Sequence, residues 1–383
     1  MKTETTRIDE YNAIRPHLYM AFELSQAEWK LGFTVGFGQQ ARIRTINARD
    51  LGALEHEVKA AKKRFGLSED TPVLSCYEAG RDGFWIYRFL QVSGIENLVV
   101  DSSSIEVNRK ARRAKTDKLD TGKLLTMLMR YHQGETKVWS VVNVPNPEAE
   151  DNRHLHRELG TLKSERTRHI NRIKGFLAGQ GICMAVTDDF LEQLKTIRLW
   201  DGSPLLPGLR ARLEREFERL QFVEEQIKTL EAARLDLIRH SARPDIEQVR
   251  QLLRLKGIGV GSSWLYVMEF FSWRNFRNRR EVGALAGLAP TPFQSGADSR
   301  EQGISKAGNT FVRSMAIQIA WGWLRHQPES KLSLWYEKRF GHGSKRLRKI
   351  GIVALARKLL VDIWRYLETG LVPEGVELKT RLF

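Results

Sequence analysis

From Leu18 onward the chain alternates apolar and polar residues in three short runs, LYMAFEL, WKLGFTVGF and ARIRTINA, separated by polar or glycine-containing breaks. A period of two sends successive side chains to opposite faces, so residues 18 to 47 predict a three-stranded meander. The period then changes. LGALEHEVKAAKKRFG, residues 51 to 66, carries apolar positions at helical spacing and stops at Gly66. PVLSCY and NLVVD follow as short apolar runs bracketing the helix-like GFWIYRFLQVSG. Strands alternating with helices after a meander call for an α/β layer.

Farther on, Leu155, Leu159, Leu162, Ile170, Ile173 and Leu177 recur at spacings of three, four and seven, as do Phe217, Leu220, Ile227 and Leu230. That pattern predicts two long helices pairing as a coiled-coil-like arm, joined through a segment containing Pro204 and Pro207. From Asp245 the pattern is again helical: IEQVRQLLRL, SSWLYVMEFF, TFVRSMAIQIAWGWLRH and IGIVALARKLLVDIWRYL. Between these lies GLAPTPFQSGADSREQGISKAGN, whose Gly, Ser and Pro content predicts a long surface loop. The expected organisation is an α/β domain over 1–148, a coiled-coil arm over 149–244 and a mostly helical domain over 245–383.

Lys and Arg total 62 against 46 Asp and Glu, a net charge of +16 with the arginines clustered, which favours an anionic polymer as partner. No apolar run approaches the roughly 18 residues of a spanning helix, and no secretory signal opens the chain, so a soluble protein of the bacterial cytoplasm is expected. Cys76 and Cys183 are too few for a disulfide framework and too distant for a metal knuckle; both read as packing residues. Trp321, Trp323, Trp335 and Trp364 likewise have the spacing of core residues.

The run RKARRAK, Arg109 to Lys115, is followed at once by KTDKLD. On a helix beginning near Thr116, Asp117 and Asp120 share a stripe with Leu124, Leu128 and Tyr131, so both carboxylates point where the core points. Two readings stand. Like-charged carboxylates repel unless a cation lies between them, which suggests a divalent metal; alternatively they are first-turn acids complementing the helix dipole. Glu78 ends the run PVLSCYE and Glu23 interrupts LYMAFELS, so four acids could share an all-oxygen magnesium site. Arg109, Lys110, Arg112, Arg113 and Lys115 have no compensating acid among them and suit the phosphates flanking such a site.

In LLRLKGIGVGSSW a glycine turn between two helical segments would let backbone N–H groups approach phosphate, as in a helix-hairpin-helix element, with Lys256 beside it; a tight interhelical turn reads equally well. Ser295, between Gln294 and Gly296, is either an exposed nucleophilic hydroxyl or a turn residue. Lys306, Asn309 and Arg313 surround the next helix start and could bind phosphate.

The order of elements resembles the ribonuclease H-like fold of Holliday-junction resolvases. The whole chain, from about Leu18 to Leu367, resembles transposases of the bacterial insertion-sequence family numbered one-ten. The resemblance rests on YEAGRDGFW, VVDSSSIEVNRKARRAKTDKLD, RTRHINRIKGFLAGQG, LKGIGVG and GLAPTPFQSGADSREQGISKAGNTFVR in this order. It implies that Glu78, Asp117 and Asp120 are three of four metal-binding acids and that Ser295 is the nucleophile. Glu23 stands where the family usually has Asp, one methylene shorter. It further implies DNA recombination through a phosphoserine intermediate with magnesium, an active site composed from two protomers, and dimer or tetramer assembly through the arm. A structured bridge RNA would pair with target and donor DNA, and Arg166, Arg168, Arg172 and Lys174 of the arm would grip its backbone, unless they are only the solvated face of a coiled coil. A resolvase-type metal nuclease without serine chemistry and a non-catalytic nucleic-acid scaffold are the competing expectations.

Overall fold

The computed structural model describes residues 16–105, 117–295 and 298–381. The chain divides after Val144 into two units. In the first, β1 (Leu18–Leu24), β2 (Glu28–Thr34) and β3 (Arg42–Asn47) form the antiparallel meander. Next come α1 (Leu51–Arg64), β4 (Val73–Glu78), α2 (Trp85–Val92), β5 (Glu96–Val100) and α3 (Asp117–His132). The sheet order is β3-β2-β1-β4-β5, with β4 parallel to β1 and β5 parallel to β4.

The alternation read from the sequence explains the layers. Leu18, Met20 and Phe22 of β1 join Tyr77, Leu54, Val58, Ile86 and Leu90 in one buried cluster. Tyr19 and Ala21, one residue out of phase, join Leu74, Cys76, Leu124, Leu125 and Leu128 on the other face. Each fully buried Leu or Phe contributes about 1.5–3 kcal/mol, and because both faces are covered a register slip of one residue would exchange the two buried sets and misfit both layers. α1 starts where Asp50 accepts from the Ala53 amide at 2.9 Å. It ends on Lys62, Lys63 and Arg64, whose charge favours the C-terminal end of the helix dipole.

The second unit begins with α4 (Pro147–Asp151) and contains α5 (His154–Ala178), α6 (Phe190–Thr196) and α7 (Pro207–His240). α5 and α7 run antiparallel: Leu159 packs with Val223 and Ile227, while Ile173 and Leu177 pack with Leu213, Phe217 and Leu220. α6 closes the far tip, with Phe190 and Phe217 ring centroids 5.1 Å apart. Inside this pair Glu216 is almost fully buried and binds His169 Nδ1 at 2.7 Å, Arg172 at 2.5 Å and Arg219 at 3.1 Å.

The remaining elements are α8 (Pro244–Leu253), α9 (Val260–Tyr266), α10 (Arg279–Leu285), β6 (Pro290–Ser295), β7 (Asp298–Ile304), α11 (Thr310–His326), α12 (Lys331–Tyr336) and α13 (Lys345–Thr369). Ile246, Leu252, Trp264, Val312, Ala316, Trp323, Leu355 and Leu359 are among the residues of their common core. The Trp323 indole N–H donates to Ser330 Oγ at 2.9 Å, which satisfies its one polar atom inside that core.

Three expectations are corrected. The segment expected as a loop contains the antiparallel hairpin β6–β7, its register running from Pro290 opposite Ile304 to Ser295 opposite Asp298, with an irregularity between Pro290 and Pro292. Prolines hid the strand because they cannot donate to a ladder, yet a two-stranded ribbon has outer edges where no donor is required. Trp321 is 50% exposed although Trp323, about 200° away around α11, is buried. Cys76 packs in the sheet as expected, whereas Cys183 is exposed.

Candidate active site and nucleic-acid interface

Sheet register brings the acids of the first unit toward one edge. Ala21 of β1 pairs with Cys76 of β4 and Phe22 with Tyr77, so Glu23 and Glu78 are the next positions on adjacent strands, which lie about 4.8 Å apart. By the period of two they follow Ala21 and Cys76 on the face that carries α3. The direction of α3 is fixed at both ends. Tyr19 Oη and His132 Nδ1 are 2.8 Å apart at its C-terminus. Toward its N-terminus Cys76 Sγ points to the Leu124 carbonyl at 3.9 Å, and Thr121 lies so close over Gly32 of β2 that a Cβ there would come within 2.5 Å of the threonine methyl.

α3 therefore runs antiparallel to β1, and its first turns, with Asp117 at its first position and Asp120 just before Thr121, stand over the strand ends that bear Glu23 and Glu78. Glu78 is exposed; Glu23 and Asp120 are half-buried. An all-carboxylate set of this kind suits a hard divalent cation that takes oxygen ligands. Among the described residues no three acidic, His or Cys side chains are already close enough to cage an ion. Arg109, Lys110, Arg112, Arg113 and Lys115 lie outside the described residues.

In the second unit Ser295 is the last residue of β6, opposite Asp298. The hairpin is anchored at its base. Ser305 N–H donates to the Ala289 carbonyl at 2.8 Å, Lys306 N–H to Gly287 at 3.1 Å and Asn309 N–H to Leu285 at 2.9 Å. The two backbones meet so closely that only glycine fits: a Cβ at Gly287 (φ 68°) would stand 2.3 Å from the Ala307 carbonyl oxygen, and one at Gly308 (φ 107°) 2.2 Å from that of Leu285. Arg313 Nη1 donates to the Lys306 carbonyl at 2.8 Å, and Lys306 itself is exposed at φ 57°. Arg313 and Asn309, expected as phosphate ligands, thus hold this crossing together.

Asn309 leads to a group that sequence reasoning missed. Its Oδ1 accepts from the Val312 amide at 3.0 Å, capping α11, while Nδ2 donates to Glu269 Oε2 at 3.0 Å. Glu269 lies in a π-type turn (Val267–Phe271) and is wholly buried. His156 Nε2 lies 2.8 Å from its Oε1, and Arg157 donates to both oxygens at 2.7 and 3.1 Å. Burial works to raise the pKa of this carboxyl, but the bonds from His156 and Arg157 prevail and hold it at about 2. The partners lie more than 100 positions away in α5, so only the lone acid within VMEFF could have pointed to it.

Of the arm cations, Arg172 is committed to Glu216. Arg168 lies 4.0 Å from Glu165, with Arg168 and Lys174 exposed and Arg166 half-buried. Lys256, at the glycine turn between α8 and α9, pairs with Glu377. Among the described residues no helix is long and apolar enough to cross a membrane.

The first unit thus carries Glu23 and Glu78 at adjacent strand ends, and the second holds Ser295 on an anchored hairpin. The model of the transposase IS116/IS110/IS902 family matches residues 249–334, from α8 into α12, including Glu269, the hairpin and Asn309. The y4rJ protein of Sinorhizobium fredii, which carries a transposase name, is 42% identical over 378 residues, 95% of each chain. The transposase for insertion sequence element IS1328 of Yersinia enterocolitica is 28% identical over 57% of this chain and 63% of its own. The corresponding transposase for IS1111A of Coxiella burnetii is 28% identical over 62% of each. The chain belongs to the IS116/IS110/IS902 family of transposases.

Proposed function

We propose that this protein is a recombinase of a mobile insertion sequence that cuts and rejoins DNA through Ser295, with a magnesium-binding acid cluster. The observation that carries the reading is the placement of Glu23 and Glu78 at adjacent strand ends on the face that carries α3, whose first turns hold Asp117 and Asp120, in a chain of transposase kinship. The strand order, an antiparallel meander extended by two parallel strands, supports a ribonuclease H-like unit.

In this reading Ser295 Oγ attacks the phosphorus of a phosphodiester. One P–O bond breaks, a sugar hydroxyl departs with the proton, and a phosphoserine ester remains. Attack by a hydroxyl of a second strand reverses these events and joins new ends. The crossing held by Gly287, Gly308, Asn309 and Arg313 fixes the base of the hairpin, which restricts where Ser295 can present its hydroxyl. Magnesium, held by Glu23, Glu78, Asp117 and Asp120, would neutralise charge developing on the phosphate. A bridge RNA would supply target and donor sequence through base pairing, and the arm would serve dimer or tetramer assembly, so that the acids of one protomer can meet the serine of another.

The test compares wild type, Ser295→Ala and Asp120→Asn, each expressed with its native flanking DNA and RNA. DNA covalently attached to protein is trapped and sequenced. Adduct in wild type and none in Ser295→Ala is the expected result. Magnesium-dependent cleavage that survives Ser295→Ala but not Asp120→Asn would replace this reading with a resolvase-type nuclease.

A further inference from the structure

One feature of the second unit has no place in that mechanism: a cleft of about 1210 Å³ bounded by α10, α12, α13 and the residues that follow α13. Six cations line it, Arg279, Arg280, Lys331, Arg357, Lys358 and Arg365, against two acids, Asp362 and Glu374. The acids are already engaged, Glu374 by Lys331 and Asp362 by Arg365 at 3.7 Å. Arg279, Arg280 and Arg357 have no ion-pair partner among the described residues. The stem of Arg357 lies across Gly283, where a Cβ would stand 3.4 Å from its Cγ and Cδ, so the guanidinium is carried on a supported stem. Lys358 Nζ sits 4.7 Å from the Trp335 ring centre, which puts an aromatic face beside the charge.

Arginines with no carboxylate beside them give the cleft a positive potential that attracts an anion, and their planar guanidinium groups suit phosphate. The volume is far beyond a single phosphate group, and the charges are spread over three helices, which suits a polyanion rather than a small metabolite. Pro290, the first residue of β6, lines the same cleft, and Ser295 is the last residue of that strand. Five strand steps span about 17 Å, which matches about five phosphates along one strand of a duplex.

We propose that this cleft binds the phosphodiester backbone of a nucleic acid about five nucleotides from the position handled at Ser295. The proposal rests on the reading of the chain as a nucleic-acid recombinase, but its test requires no cleavage, so the two can fail separately. Two sources share this chemistry, the DNA substrate and a guide RNA, and parallel titrations distinguish them.

The full-length protein is titrated with labelled duplex DNA carrying its element end, and separately with the RNA transcribed beside its gene, by fluorescence anisotropy across a salt series. Arg279→Ala/Arg280→Ala/Arg357→Ala is compared with wild type and with a control, Lys59→Ala/Lys63→Ala/Arg64→Ala on α1. Loss of three phosphate contacts lowers the slope of log affinity against log salt by about 2.7. Between about 50 and 200 mM salt wild-type affinity then falls about 40-fold more than that of the cleft variant. The exposed pair Arg279→Ala/Arg280→Ala alone, which leaves the packed stem of Arg357 untouched, gives about 12-fold by the same relation. A drop confined to DNA or to RNA identifies the occupant, and either supports the site. Unchanged slopes with both nucleic acids, or an equal drop in the α1 control, would overturn it.

Discussion

Replacing Glu269 by Gln is the perturbation whose cost the structure sets most closely. The substitution keeps shape and volume but removes the charge that faces His156, Arg157 and Asn309. The glutamine carbonyl can serve one side of the site, while its amide confronts donors on the other. A carboxyl held at about 2 instead of the ordinary 4.5 corresponds to about 3 kcal/mol at roughly 1.4 kcal/mol per pH unit. Arg157 is 44% exposed and partly screened by water, so about 2–3 kcal/mol is expected at pH 7. The sign follows from the depressed pKa. This stability is fully present above pH 4.5 and is lost as pH falls through 4.5 toward 2, so the gap between wild type and Glu269→Gln closes in that window. Urea unfolding followed by tryptophan fluorescence from pH 7 to 3 measures both. A difference under about 1 kcal/mol at neutral pH, or one that stays constant down to pH 3, would refute the argument.

Two further outcomes follow from geometry. Gly308→Ala forces a Cβ to within 2.2 Å of the Leu285 carbonyl oxygen at φ 107°, so we expect a loss of at least about 2 kcal/mol by thermal unfolding and faster amide exchange in 287–309. Glu216→Ala removes the acceptor shared by His169, Arg172 and Arg219 within the arm; with both arginines largely in water, a cost of about 1–2 kcal/mol is expected, rising to the larger value for urea unfolding above the carboxylate range and shrinking in acid, since His169 and Arg172 hold the Glu216 carboxyl below its usual pKa despite the opposing effect of burial.

How far the sequence could be read depends on how local each signal is. The strands of the first unit are written in a period of two, and the single acid Glu23 within LYMAFEL stands out because it breaks an apolar run. The arm is equally local, with spacings of three and four marking Leu159, Ile173 and Leu177 before any partner is known. The hairpin was hidden because Pro290 and Pro292 lower strand propensity whether or not the ladder needs their donors. Glu269 was hidden for another reason: its meaning lies in His156 and Arg157, and no periodic pattern links positions so distant in the chain. Trp321 shows the limit of counting aromatics, since a side chain two positions from a buried tryptophan faces away from it on a helix.

The tie between His156, Arg157 and Glu269 lies at the near end of α5, whereas Ala178 closes that helix about 33 Å away along its axis. The arm is thus a long lever grasped at its short end. A tilt of about 5° moves its tip by about 3 Å but shifts the grasped end by only tenths of an ångström, within the tolerance of a hydrogen bond. Whatever holds the tip can therefore set the angle of the arm while the bonds at the carboxylate that steadies Asn309 stay intact.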